Sequence, residues 1–239
     1  MAGAMKKQFL VQWENCLFGI VMILGGSVFG VIFMNILMRV EGENTSYFPM
    51  GTLIGILMAA VYCVIMEAGS LRLYFDMEIS MGSTRRNFFV SYLGLGILTD
   101  FMYLPVLAGI CMLEEQLYGF WYPELTNEVN MLPYLGSWGI AVAVLLPMAA
   151  CFCGAMIMRF GKTAFWIFWA LWMIGCIGIP RIFDASEEAP DSLFGRIGTG
   201  VAALIGAVPH SLWPAILAAA GLICMIGSYI IIRRQQVTA

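Results

Sequence analysis

Asp100 lies about midway along an apolar stretch from Phe88 to Met112. A charge at that depth in a membrane is costly and is normally paired or turned to water, which makes Asp100 a candidate for a transport pathway. The competing role is structural: a neutral or hydrogen-bonded group that orders packing against a neighbouring helix. A proton relay would need further acidic or histidine partners at membrane depth, and the other apolar stretches offer none. Glu114 and Glu115 form an adjacent acidic pair of the kind that serves proteolysis inside a membrane. That chemistry also wants an arginine at position 119, where glycine stands, and intramembrane histidines, whereas the chain has one, His210. His210 falls between Pro209 and Ser211, where helix entry is the commoner role. Gly161, Lys162 and Thr163 spell the end of a phosphate-binding loop, but position 156 is Met and no strand precedes it. Lys162 then reads as a basic anchor at the membrane edge. Cys151 and Cys153 face different directions on a helix and have no histidine or cysteine cluster beside them, so no metal site is expected and they read as small packing residues.

Those residues must be carried by membrane-spanning elements. Of the 239 residues, 61% are hydrophobic and 11% charged, and the mean hydropathy is +0.87, outside the range of soluble domains. At about 20 residues per crossing, six apolar stretches fit the chain. They run from Asn15 to Met38, Phe48 to Met66, Phe88 to Met112, Tyr134 to Met158, Ala164 to Ile179 and Leu212 to Ile232. Leu193 to Val208 is apolar and glycine-rich but short for a crossing, which predicts a re-entrant or interfacial helix before the last span. Lys6 and Lys7 precede the first stretch as in a signal peptide, but it is too long and has no Ala-x-Ala site, so it should stay as a span. The seven cysteines all lie in apolar stretches, which argues against a disulfide framework. Gly26 and Gly30 permit close helix approach in the first span. Phe165, Trp166, Phe168, Trp169 and Trp172 suit an interfacial aromatic belt in the fifth.

Basic residues set the expected orientation. Lys6, Lys7, Arg72, Arg85, Arg86, Arg159, Lys162, Arg233 and Arg234 fall on one side, against Arg39, Arg181 and Arg196 on the other. Nine against three places both termini in the cytoplasm. The opposite side collects Glu41, Glu43, Glu114, Glu115, Glu124, Glu128, Asp184, Glu187, Glu188 and Asp191, a solvated rim or an attractor of cations and cationic peptides.

The stretch between the second and third spans carries the clearest pattern. On a helix from Leu71, the residues Arg72, Asp76 and Ser80 share a polar stripe while Leu71, Phe75 and Ile79 share an apolar face. Gly82 ends that helix and Ser83 or Thr84 caps the next. The pattern predicts a short amphipathic helix lying along the membrane surface, with Met81 at its end and Arg85 and Arg86 at the mouth of the third span.

The run from Glu78 to Phe89, with Gly82, Ser83, Thr84, Arg85, Arg86, Phe88 and Phe89, resembles the segment joining the second and third spans in ATP-binding-cassette (ABC) transporter permeases of the type-2 exporter class. An N-terminal amphipathic stretch from Lys7 to Glu14, six spans and a short helix before the last match that layout. The resemblance implies an all-α permease in one domain over residues 1–239, without a nucleotide-binding domain of its own. Arg72, Asp76, Ser80, Met81, Gly82, Arg85 and Arg86 would then form a coupling helix that meets a separate ATPase subunit, which binds ATP and magnesium. A second permease, a copy or a paralogue, would complete the transporter, with membrane lipid around it and no nucleic acid. The expected activity is export of a hydrophobic or amphipathic peptide, lipid or drug across a bacterial plasma membrane, with no catalysis in this chain. The alternative is a non-pumping accessory or immunity protein that binds a peptide or lipid.

Overall fold

The structure is a computed structural model that describes residues 2–41, 46–178, 181 and 192–235. The chain folds into helices α1 (Ala2–Glu41), α2 (Met50–Ser80), α3 (Arg85–Trp121), α4 (Leu132–Phe160), α5 (Lys162–Met173), α6 (Leu193–Ala207) and α7 (Trp213–Arg234). Two short strands, β1 (Ser46–Tyr47) and β2 (Thr126–Asn127), pair in parallel. Five of the helices, α1, α2, α3, α4 and α7, contain stretches long and apolar enough to cross a membrane. That architecture suits a multi-pass membrane protein, and the exposure of Val28, Phe29, Ile32 and Ile36 along α1 suits a lipid-facing surface.

The bundle is a chain of packed neighbours: α1 on α2 and α3, α2 on α3 and α4, α4 on α3 and α7. Glycines set the closest approach. A Cβ at Gly30 would come within 2.5 Å of the Met50 carbonyl and 2.8 Å of the Gly51 Cα, so the expected glycine spacing on α1 does let it lie against the start of α2. Gly221 lies against Leu145 and Met148, and Gly227 against Phe152, so contacts advance together along the two chains and α7 runs parallel to α4. Asn15, about a third of the way along α1, donates to the Tyr74 hydroxyl at 2.8 Å. Ile231 and Ile232, near the end of α7, pack in one cluster with Tyr74, Phe75 and Phe88. The first and last helices therefore begin and end at the same end of the bundle.

Three expectations change. The amphipathic segment from Leu71 is no separate helix, because α2 runs unbroken from Met50 to Ser80 over 31 residues. At 1.5 Å per residue it is about 46 Å long, well beyond a hydrocarbon core of about 30 Å. The periodicity was real, but the apolar face meets protein: Leu71 and Phe75 are fully buried against Phe88, Phe89, Tyr92, Cys151 and Ile232. Gly69 causes no break, since packing on either side outweighs a helix penalty of about 1 kcal/mol. In the same way Lys7 to Glu14 is continuous with the first span in the 40-residue α1. The expected fifth span appears as the 12-residue α5 and a π turn, Ile174–Gly178, with its end at Ile179 outside the described residues. The expected short helix before the last span is α6, 15 residues long. Glu43, Asp184, Glu187, Glu188 and Asp191 lie outside the described residues.

Candidate functional site

The α2–α3 hairpin organises the chemistry. Its two arms pair in antiparallel register, with Phe75 edge-on to Phe88 and the Cys63 thiol donating to Asp100 Oδ1 at 2.7 Å. At its apex the chain makes a Schellman turn: the Gly82 amide donates to the Ile79 carbonyl and the Ser83 amide to the Glu78 carbonyl, both at 3.0 Å. Gly82 takes φ 84°, which favours glycine. Of the two expected caps it is Thr84 that serves, its hydroxyl accepting from the Asn87 amide at 3.3 Å.

The expected coupling residues decorate this apex, at the end of a packed hairpin instead of along a surface helix. Arg72 and Asp76 approach to 3.9 Å on the exposed face, and the Ser80 hydroxyl donates to the Met77 carbonyl at 2.7 Å. Met81 is 66% exposed, and Arg86 is also exposed. Arg85 differs: its guanidinium donates to the Arg233 carbonyl at 2.5 Å, tying the start of α3 to the end of α7. An exposed apolar residue and a free-standing charge suit contact with another protein, whereas Arg85 is partly a clamp within the bundle.

Asp100 is buried, near the middle of α3 and about 22 Å from its first residue at 1.5 Å per residue. Oδ1 receives the Cys63 thiol, while Oδ2 is buried and receives no hydrogen bond. Asp100 lines a pocket of about 220 Å³ between α2, α3 and the first half of α4. Cys63 and Tyr103 flank it, and Tyr134 and Trp138 from α4, both about half exposed, stand at its outer side. The remaining walls are aliphatic, among them Ile56, Leu107, Val142 and Leu146.

Two further carboxylates lie within the bundle, Glu67, which the sequence did not single out, and Glu114, which it placed in the acidic rim. Glu67 falls one residue past the expected end of the second span, yet α2 continues and its carboxyl lies over Gly96 of α3, close to Pro147 of α4. Glu67 and Asp100 lie near enough to repel when both are ionised. Other spans therefore do offer an acid at depth. The signal available in the sequence was the lack of any proline between Met66 and Leu71. Glu114, expected in the acidic rim, is 2% exposed. It accepts from the Gly51 amide at 2.8 Å and from the Thr52 amide and hydroxyl, both at 2.7 Å. Pro49 at the cap position of α2 offers no side-chain bond, so a residue of α3 caps α2 from a distance. Glu115 is exposed, so the acidic pair points apart and does not form a two-carboxylate centre.

Above this cap, Tyr47 is buried against Tyr118, with ring centroids 4.5 Å apart. Burial, and then the charges of Glu115 and Glu114, push the Tyr47 phenol above its ordinary range and keep it neutral. Cys16, Cys63, Cys111, Cys151, Cys153 and Cys224 are free thiols. Among the described residues no group of three or more His, Cys, Asp or Glu is arranged to hold a metal ion. The α5 aromatics Phe165, Trp166, Trp169 and Trp172 are about half exposed, as an interfacial belt would be. No protein-family model, no curated protein and no solved structure matches this chain.

Proposed function

We propose that the chain is the membrane-spanning permease subunit of an ATP-binding-cassette exporter of the type-2 class, moving a hydrophobic or amphipathic substrate with energy from a separate ATPase. The observation that carries this reading is the α2–α3 apex: a capped, rigid turn presenting exposed Met81 and Arg86 at the tip of a hairpin whose arms also line the Asp100 pocket. A push on such a tip moves both walls of the pocket, because the arms are packed along their length. Arg72, Asp76 and Ser80 extend the contact surface down one face of α2, and Asp100 belongs to the substrate pathway.

A six-span layout is favoured by chain direction. The parallel course of α4 and α7 supports a further crossing between them. With α1 beginning and α7 ending at one end, and the basic residues gathered at that end, the positive-inside bias favours cytoplasmic termini in a bacterial plasma membrane. The partners on this reading are the ATPase and a second permease.

Co-expression with a neighbouring ATP-binding-cassette subunit tests the proposal. The chain should copurify with it and stimulate its ATPase. Arg86→Glu should lower stimulation at least about fivefold, the effect of a coupling energy of about 1 kcal/mol, with the bundle intact. Arg85→Glu should also destabilise the bundle through loss of the Arg233 bond. Failure to copurify, or full stimulation by Arg86→Glu, would sink the exporter reading and favour a non-pumping binder.

A further inference from the structure

We propose that the pocket between α2, α3 and α4 is a binding site for a small organic ammonium ion with an aromatic or alkyl body, its charged head on Asp100 and its apolar part along the α4 wall. A carboxylate withdrawn from water is stable only with partners, and Oδ2 of Asp100 has none from the protein. Among the described residues no lysine, arginine or histidine lines the pocket.

The lining then selects among cations. A bare divalent ion needs six or more oxygen ligands or a retained water shell, and the described lining offers a single carboxylate among aliphatic and aromatic walls. An ammonium carried on an apolar body needs one acceptor for its head and hydrocarbon contact for the rest, which is what Asp100, Ile56 and Leu107 supply. Tyr103 follows Asp100 by three residues, nearly one turn along α3, and adds a ring on which a cation is favoured. Tyr134 and Trp138, about half exposed at the side facing lipid, give an amphipathic amine a route in from the bilayer. At about 220 Å³ the pocket is below the range of about 300–1,000 Å³ that holds drug-sized ligands, so the occupant is small or leaves its tail in lipid.

This inference deepens the transport reading by giving its pathway a substrate class, and its test needs no ATPase, so either can fail alone. The purified full chain in lipid nanodiscs is titrated with 2-phenylethylammonium and with 2-phenylethanol, which has the same body without the charge. The amine should bind at least about tenfold more tightly than the alcohol, and Asp100→Asn should reduce that preference to less than about twofold. Val142→Phe fills the pocket from α4 without touching Asp100, and should weaken both ligands about tenfold or more. Equal binding of amine and alcohol, no binding of the amine, a preference that persists in Asp100→Asn, or undiminished binding in Val142→Phe would each overturn the proposal. Should Asp100→Asn fail to fold, the ligand pair on the unaltered chain and Val142→Phe still decide.

Discussion

Two carboxylates on one face of α3, fourteen residues or about four turns apart, have opposite circumstances. Glu114 is saturated: three short hydrogen bonds from Gly51 and Thr52 hold it, and it completes the start of α2. Asp100 is half answered, by one thiol, and lies beside open volume. Burial is nearly the same for both, so burial alone does not mark function. What separates them is whether the protein has already satisfied the group. A satisfied buried acid is a staple, whereas an unsatisfied one beside a pocket is available to a ligand.

That contrast is exposed to four stability measurements, each read as thermal unfolding of the purified chain in one detergent. The largest loss is expected for Glu114→Leu, about 4 kcal/mol, because two amides and a hydroxyl are orphaned inside the protein at once. Next comes Gly30→Ala at about 2–3 kcal/mol: its Cβ meets the backbone of Met50 and Gly51, which cannot yield, and it levers α1 away from the capped turn. Gly96→Ala sharpens the comparison from the other side. Its Cβ meets the end of the flexible Glu67 side chain and, at 3.2 Å, Pro147, so about 1 kcal/mol is expected. Asp100→Asn should change stability least, by about 0.5 kcal/mol or less in either direction, since the asparagine carbonyl can still accept from the Cys63 thiol and its amide nitrogen replaces an oxygen that has no hydrogen-bond partner. A loss at Asp100 as large as that at Glu114 would show that both are staples and would break the distinction.

Much of this was legible beforehand. The glycine at 82, the cap pair Ser83 and Thr84 and the leucine–phenylalanine spacing from Leu71 specified a helix end, a helix start and an amphipathic face, and each is found, with Thr84 as the cap. These are local properties, decided by backbone conformation and by a period of 3.6 residues. The partner of the amphipathic face was not legible. Membrane surface and packed protein both accept Leu71 and Phe75, and only the arrival of Phe88, Cys151 and Ile232 decides between them. Glu67 and Glu114 were misplaced for a related reason. Hydropathy sets the end of a span near a flanking charge, whereas a helix continues for as long as neighbours cover it, and here α3 and α4 cover Glu67 while the turn into α2 covers Glu114.

The sequence by itself determined that the chain is helical and apolar, where its charges gather, and that Asp100 sits at depth. It could do so because hydropathy and helical periodicity are summed over adjacent residues. Tertiary structure alone decided which acids are answered, because the donors to Glu114 lie more than sixty residues away and the walls around Asp100 come from three helices. Hydrogen-bond satisfaction depends on distances in space that no local pattern encodes.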